Sequence, residues 1–227
     1  MNKASSSKQQ EVQRIVDAIS NAIAQHRLKP GTRLIEAQIV EVLVANRNHV
    51  QSALQRLAMQ HIVTIEPHRG AMVAKPEARE AREVFTARRA VENAIIAGIT
   101  TQQMQRYQTE LIAQRQAEKE AIASNNRLEI VRQLSQFHLL LAEISDNRVL
   151  SEILTNLTVR SSLIVALYQR NEDPASHCEQ HSSIVAALQA GDNHRAQQLM
   201  HHHMHELELQ LSLDEIEEVP SLRDALA

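Results

Sequence analysis

Apolar residues recur at helical spacing through most of this chain, and the period breaks in only one place. Val12, Ile15, Val16, Ile19, Ala22 and Ile23 share one face of a segment from Glu11 to His26. Leu28-Lys29-Pro30-Gly31 ends that helix and turns the chain. A second, short helix is predicted from Glu36 to Leu43. A third runs from Asn48 to Gln60, with Val50, Ala53, Leu54 and Leu57 inward. Val44-Ala45-Asn46-Arg47 between them leaves room only for a tight turn, with Asn46 or Asn48 placed to cap the third helix. The period then changes to that of strands, Ile62 to Ile65 and Ala71 to Ala74, joined across Glu66-Pro67-His68-Arg69-Gly70. Three helices, the last pair tightly joined, followed by a hairpin form the layout of a winged helix-turn-helix.

Lys75-Pro76 marks the predicted boundary. Beyond it, six helices are expected between Glu77 and Leu213. Their breaks fall near Thr100-Thr101, Ser124-Asn126, Asp146-Asn147, Asn171-Pro174 and Gly191-Asp192. No strand pattern interrupts them. The fold expected is therefore mainly α: a winged helix-turn-helix over residues 1–75 and an antiparallel all-helical bundle over 76–213. An acidic tail over 214–227 is expected to follow.

Composition supports this division. Aromatic residues make up 2% of the chain and Trp is absent, so the core must come from aliphatic side chains, which favours packed helices. No continuous apolar run approaches a membrane-spanning length of about 18 residues. The polar start from Met1 to Gln10 lacks a signal core, and the lone Cys178 has no internal partner. A cytoplasmic protein without membrane contact is the expectation. Charge is unevenly placed: Met1 to Lys75 carries ten Lys and Arg against five Asp and Glu, while the remainder is net acidic. A basic front on an acidic body suits contact with a polyanion at one end.

The third helix offers Arg47, Asn48, His49 and Gln51 at its N-terminal end, next to Asn46. Arg pairs with guanine or phosphate, and Asn and Gln pair with the adenine edge. His68, Arg69 and Gly70 occupy the wing tip, where Arg suits a narrow minor groove. Double-stranded operator DNA is the expected partner, read by a homodimer. Histidine is the second signal, with 12 in the chain. Helical periodicity turns His138, His181 and His203 inward, each from a separate helix, whereas His201 falls on a polar face. Three converging imidazoles suit Zn²⁺ or a similar divalent metal with one position open; without metal, they form a pocket for an acidic effector. A hydrolytic enzyme is not expected, because no carboxylate sits next to these histidines to act as a general base. A non-catalytic adaptor is the remaining alternative.

Leu28-Lys29-Pro30-Gly31, Arg33-Leu34, Arg47, Val50, Ala53-Leu54, Arg56-Leu57 and Arg69-Gly70-Ala71 resemble the DNA-binding part of GntR-family regulators. Arg88-Arg89-Ala90-Val91-Glu92, Phe137-His138, Asn147, His181, Gly191-Asp192 and His203 resemble the FCD effector domain of the FadR subfamily. The resemblance adds Arg33 to the DNA-binding set. It implies a transcription regulator of the repressor kind that responds to a small organic acid. Arg88, Arg160 and Asn147 are the candidate effector contacts. It also implies a metal on the three histidines plus an Asp one turn before the first, a position held here by Leu134. His177 is a candidate substitute. The recognition stretch departs from the family as well, with His49 for its Pro and Gln51 for its second Arg.

Overall fold

The computed structural model describes residues 3–169 and 173–213, so the expected acidic tail lies outside the described residues. The chain begins with α1 (Lys3–Ala24), α2 (Glu36–Leu43) and α3 (Arg47–Met59). Asn46 is the residue that caps α3: its side chain accepts from the Asn48 amide at 2.8 Å, which supplies a partner for one of the helix's free N–H groups. β2 (Val63–Glu66) and β3 (Gly70–Val73) form the expected hairpin, in the register Val63 opposite Val73 and Glu66 opposite Gly70. Gly70 has φ 79°, a backbone conformation that only glycine adopts without strain. A third strand, β1 (Arg33–Leu34), pairs antiparallel with β3 and gives the sheet order β1-β3-β2. At two residues it is too short for any period to show.

Seven helices follow among the described residues, against the six expected: α4 (Ala78–Gly98), α5 (Thr101–Arg106), α6 (Gln108–Ala123), α7 (Arg127–Ile144), α8 (Arg148–Tyr168), α9 (Pro174–Gln189) and α10 (Asn193–Leu209). The extra break is at Tyr107, between α5 and α6. Gly and Pro are absent there, so the sequence carries no stop signal. The other breaks coincide with caps: Thr100 and Gln103 make a reciprocal capping box, and Asn147, Asp173 and Asp192 each accept from an amide in the next helix's first turn.

Two apolar cores result, and α8 belongs to both. Leu154, Leu157 and Ile164 are buried with Phe85, Ile96, Leu141 and Met200 in the helical bundle. Val159 and Leu163 are instead buried with Ile15, Ile19, Leu54 and Leu57 of the N-terminal helices. Burying two such side chains contributes roughly 1.5–3 kcal/mol each. Hydrogen bonds tie the same seam. His26 Nε2 lies 3.0 Å from the Ser162 carbonyl, Ser162 Oγ donates to the Ala24 carbonyl at 3.3 Å, and Asn156 Nδ2 donates to the Gln60 carbonyl at 3.2 Å. Being apolar on several faces gives α8 a mean hydropathy of 1.3, and it is the one helix among the described residues long and apolar enough to cross a membrane. The expectation that no continuous apolar run approaches that length still stands, since Ser151, Glu152, Thr155, Asn156, Thr158, Arg160, Ser161 and Ser162 interrupt the apolar positions of α8.

The turn between α2 and α3 contains a strained residue. Val44 has φ 48° and ψ 50° and is 90% exposed, so a β-branched side chain sits in the left-handed region with no packing in return. That conformation costs an L-residue roughly 1–2 kcal/mol, while glycine gives back roughly 0.5–1 kcal/mol in backbone entropy. Val44→Gly is therefore expected to raise the urea midpoint. A lowered midpoint would show that the turn is not held in this conformation.

Candidate functional site

The N-terminal end of α3 and the wing tip are both exposed and both held by acidic neighbours. Glu36, in the first turn of α2, accepts from Arg47 Nε at 3.2 Å and from Gln51 Nε2 at 2.9 Å. Glu66 holds Arg69 at 3.2 Å. These are solvent-exposed pairs worth about 0–1 kcal/mol, easily exchanged for a phosphate. Arg33 donates through Nε and Nη2 to the Arg69 carbonyl, so it braces the wing rather than standing free. His68 has φ 64° and shapes the tip. His49 is half-buried and its Nδ1 has no hydrogen-bond partner. Asn46 and Asn48 are engaged in the cap.

Inside the bundle, α7, α9 and α10 bring His138, His181 and His203 together. All three are buried, with 4%, 2% and 2% exposure. His181 Nε2 lies 3.3 Å from His203 Nε2, which lies 3.4 Å from His138 Nε2. The ligand atoms of the three residues all lie within 4.8 Å of one another. The opposite ring nitrogens are each tied to an acceptor. Glu92 Oε2 faces His138 Nδ1 at 2.5 Å, Glu118 Oε1 faces His181 Nδ1 at 3.0 Å, and Gln180 Oε1 faces His203 Nδ1 at 2.7 Å. Where Glu92, ionised Glu118 and Gln180 Oε1 accept, each ring is the Nδ1–H tautomer, which turns the three Nε2 lone pairs toward one another. Phe137 stacks on His181 with centroids 3.8 Å apart and fixes its ring plane.

Burial sets the electrostatics. It pushes His181 and His203 well below the usual imidazole value, with the neighbouring histidines adding to the effect. His138 is also lowered by burial, against the opposing pull of Glu92. Burial would raise Glu92, yet His138 and Arg88 together hold its carboxyl below the ordinary range, so it is an anion between them. Glu118 has no such cation in contact, and burial raises it to about 7. A cavity of about 70 Å³ adjoins the cluster. Ile130, Val131, Leu134, Val165 and Leu207 give it apolar walls, and Arg88, Ser161 and Ser162 supply polar ones.

Residues 11–73 match the GntR family of bacterial regulatory proteins, and residues 83–206, more than half of the chain, match the FCD domain. The chain is a GntR-family regulator with an FCD domain. It is 26% identical over 198 residues to the HTH-type transcriptional repressor RspR of Escherichia coli strain K12, an alignment covering 86% of each chain. It is also 26% identical over 189 residues, 83% of each chain, to the "Probable D-xylose utilization operon transcriptional repressor" of Paenarthrobacter nicotinovorans. Two solved structures share its fold. A GntR transcriptional regulator of Rhodococcus sp. RHA1 superposes with TM-score 0.73 at 24% identity, covering 88% of this chain and 96% of that one. Escherichia coli McbR/YncC gives TM-score 0.73 at 23% identity, covering 86% and 93%.

The candidate effector contacts of this GntR regulator are not brought together. Arg88 lines the cavity, donating to Glu92 at 2.6 Å and to Ser161 Oγ at 3.0 Å. Arg160 instead donates to Glu80 at 2.7 Å, and Asn147 is the exposed cap of α8; neither lines the cavity. His177 lines the same cavity and packs edge-on against His203, with ring centroids 5.4 Å apart, but it is not among the three clustered histidines, and Gln210 Nε2 lies 3.2 Å from its Nε2. Leu134 stands at the cavity wall as apolar surface. The expectation that no carboxylate accompanies the histidines is corrected in space: Glu92 and Glu118 reach them from α4 and α6. Both sit on the Nδ1 side, away from the converging lone pairs, where they orient the rings. Sequence reasoning missed them because contacts between helices leave no spacing; the Arg88 and Glu92 pair, four apart, was the only local hint.

Stability of the metal-free protein must depend on pH. The unfolded chain protonates His138, His177, His181 and His203 below about pH 6.5, while burial keeps these groups neutral in the folded state. Their contribution is complete above that value and is lost as pH falls. Glu118 acts in the opposite sense, since the folded state takes up its proton at about 7. Four groups outweigh one. The urea midpoint of chelator-treated protein is expected to drop between pH 7.5 and 5.5, and less so in His181→Leu. A midpoint that holds constant would mean the histidines are solvated.

Proposed function

We propose that this regulator is a dimeric repressor whose operator binding responds to a small organic acid held with a divalent metal by His138, His181 and His203. The observation that carries the reading is the three Nε2 lone pairs converging with no donor between them. Such a cluster is self-repelling unless a cation shares it, and its donor set suits Zn²⁺ or a similar borderline ion. Bound there, a divalent ion supplies positive charge and an open position for a carboxylate. Leu134 contributes no negative charge, so the histidine ligands are all neutral and an anionic effector completes the charge balance. Arg88 lines the same cavity, and the apolar wall favours a short hydrocarbon body on the acid.

The proposed route to DNA is α8. Ser161 and Ser162 line the cavity, while Ser162 also bonds the end of α1. A ligand that moves this step of α8 moves the domain proposed for residues 1–75 with it. Repression is supported by the names of the two curated relatives, and the dimer by the two-fold symmetry of operators read by helix-turn-helix proteins. Arg47, Gln51 and Arg69 are the proposed readers, once Glu36 and Glu66 release them.

Two experiments test this. Zn²⁺ added to chelator-treated protein is expected to raise the melting temperature, because the ion binds only the folded state. The rise should vanish in His181→Ala and occur at lower metal concentration in Leu134→Asp. No rise in the parent protein would leave a metal-free polar core. For DNA, Arg47→Ala is expected to cost about 1–3 kcal/mol on the operator if the contact is to guanine. An equal loss on random DNA would reassign Arg47 to phosphate.

A further inference from the structure

Five of the eight residues of α2 are apolar, yet none of them is buried. Val42 is 77% exposed, and Ile35, just before the helix, is 46% exposed. An open groove of about 670 Å³ runs between α1, β1 and α2, walled by Ala22, Leu28, Leu34, Ile35, Ile39 and Val42. Clustered apolar side chains left to water, unlike single ones, mark an interaction surface. The charged side chains that line this groove are Arg27 and Arg33, and no Asp or Glu is among the lining residues. Neither Arg meets a carboxylate: Arg27 donates to Gln25 Oε1 at 3.0 Å and Arg33 to the Arg69 carbonyl. Arg47 and Arg69, by contrast, are held by Glu36 and Glu66. The groove therefore suits a segment that is both apolar and acidic.

The chain carries such a segment. The fourteen residues beyond Leu213 hold five Asp and Glu against one Arg, interleaved with Ile216, Val219, Leu222 and Leu226. Their starting point is beside the groove. The Ser212 amide donates to the Tyr168 carbonyl at 3.0 Å, and the Tyr168 hydroxyl donates to the Pro76 carbonyl at 3.1 Å. The side chain of Lys75 lies against Gly31, next to Thr32 of the groove. Fourteen residues span up to about 46 Å when extended, so reach is not limiting. We infer that residues 214–227 dock in this groove, apolar side chains against α2 and carboxylates toward Arg27 and Arg33, and thereby weaken DNA binding. A short tether supplies an effective concentration on the order of millimolar, so a weak intrinsic affinity suffices. Docking acts in two ways. It adds negative charge to the basic unit that meets DNA phosphates. It also rests on α2 and Arg33, which support Arg47 and Gln51 through Glu36 and the wing through the Arg69 carbonyl. Neither effect depends on the histidine cavity.

The test uses the full-length protein, a mixed-sequence DNA duplex at low salt and a fluorescent peptide of residues 213–227. A tail variant combining Ile216→Ser, Val219→Ser and Leu222→Ser keeps every charge, and it is expected to bind the duplex several-fold more tightly than the parent. Repulsion by the acidic residues without docking would leave the two equal. A groove variant combining Ile35→Gln and Val42→Gln alters exposed positions, so it should melt close to the parental temperature yet show the same gain. The peptide is expected to bind the tail variant, whose own segment no longer competes, and to lose that binding when the groove changes are added. Equal DNA binding by parent and tail variant, or peptide binding that survives the groove changes, overturns the assignment. A groove variant that sediments as a smaller species than both parent and tail variant would give this face to a second copy of the chain and overturn it equally.

Discussion

The structure depends on α8 being shared. A helix ordinarily buries one stripe and leaves the opposite face to water, but α8 gives Leu154, Leu157 and Ile164 to the bundle and Val159 and Leu163 to the N-terminal core. The two cores are therefore not joined by the chain alone. Small side chains make this possible: Thr158, Ser161 and Ser162 let neighbouring backbones approach closely enough for Ser162 to bond the last turn of α1. A larger residue at any of these positions would separate the surfaces that the apolar residues on either side hold together.

The same helix supplies polar wall to a bundle core that is otherwise aliphatic. Burying histidine and glutamate is costly unless every polar atom is matched, and here the matching is nearly complete. Arg88 bridges Glu92 and Ser161, Glu92 bridges Arg88 and His138, and Gln114 bridges Glu118 and the Gln133 carbonyl. Within the histidine cluster, the atoms with no partner outside it are the three Nε2 positions, which lie on the side away from their anchors and face one another. A polar core that needed only to be stable would pair those nitrogens with donors. Their convergence is what supports the reading of this cluster as a site.

Much of this was legible in sequence, for reasons that also explain what was not. The inward histidines follow from helical period, since a residue in register with Leu141, Ile184 or Met200 has nowhere else to point. Helix ends were readable where a cap or Pro sits, as at Asn46, Thr100 and Asp173-Pro174, and unreadable at Tyr107, where neither exists. Arg160 and Asn147 do not share the pocket, because Arg160 donates to Glu80 and Asn147 caps its own helix. Glu92 and Glu118 went unseen because what makes them relevant is the packing of α4 and α6 beside α7 and α9, and Gln180 because it acts across the contact of α9 with α10. One-dimensional spacing does not encode that geometry.

Leu134 changes what the histidine site requires of its occupant. Glu92 is balanced by Arg88, and Glu118, raised to about 7 by burial, carries at most a partial charge near neutrality. The region around the three Nε2 atoms is thus close to electrically neutral before anything binds. An acid in place of Leu134 would give a divalent ion one permanent negative ligand. Its absence leaves two positive charges in a setting where Coulomb energies exceed those in water several-fold, with apolar walls that hold few compensating waters. On the reading proposed above, occupancy by cation and by anion would be cooperative, since each would lower the cost of burying the other. A site with its own carboxylate can hold metal as a standing part of a fold; in the proposed site, metal retention would be coupled to the presence of the anion.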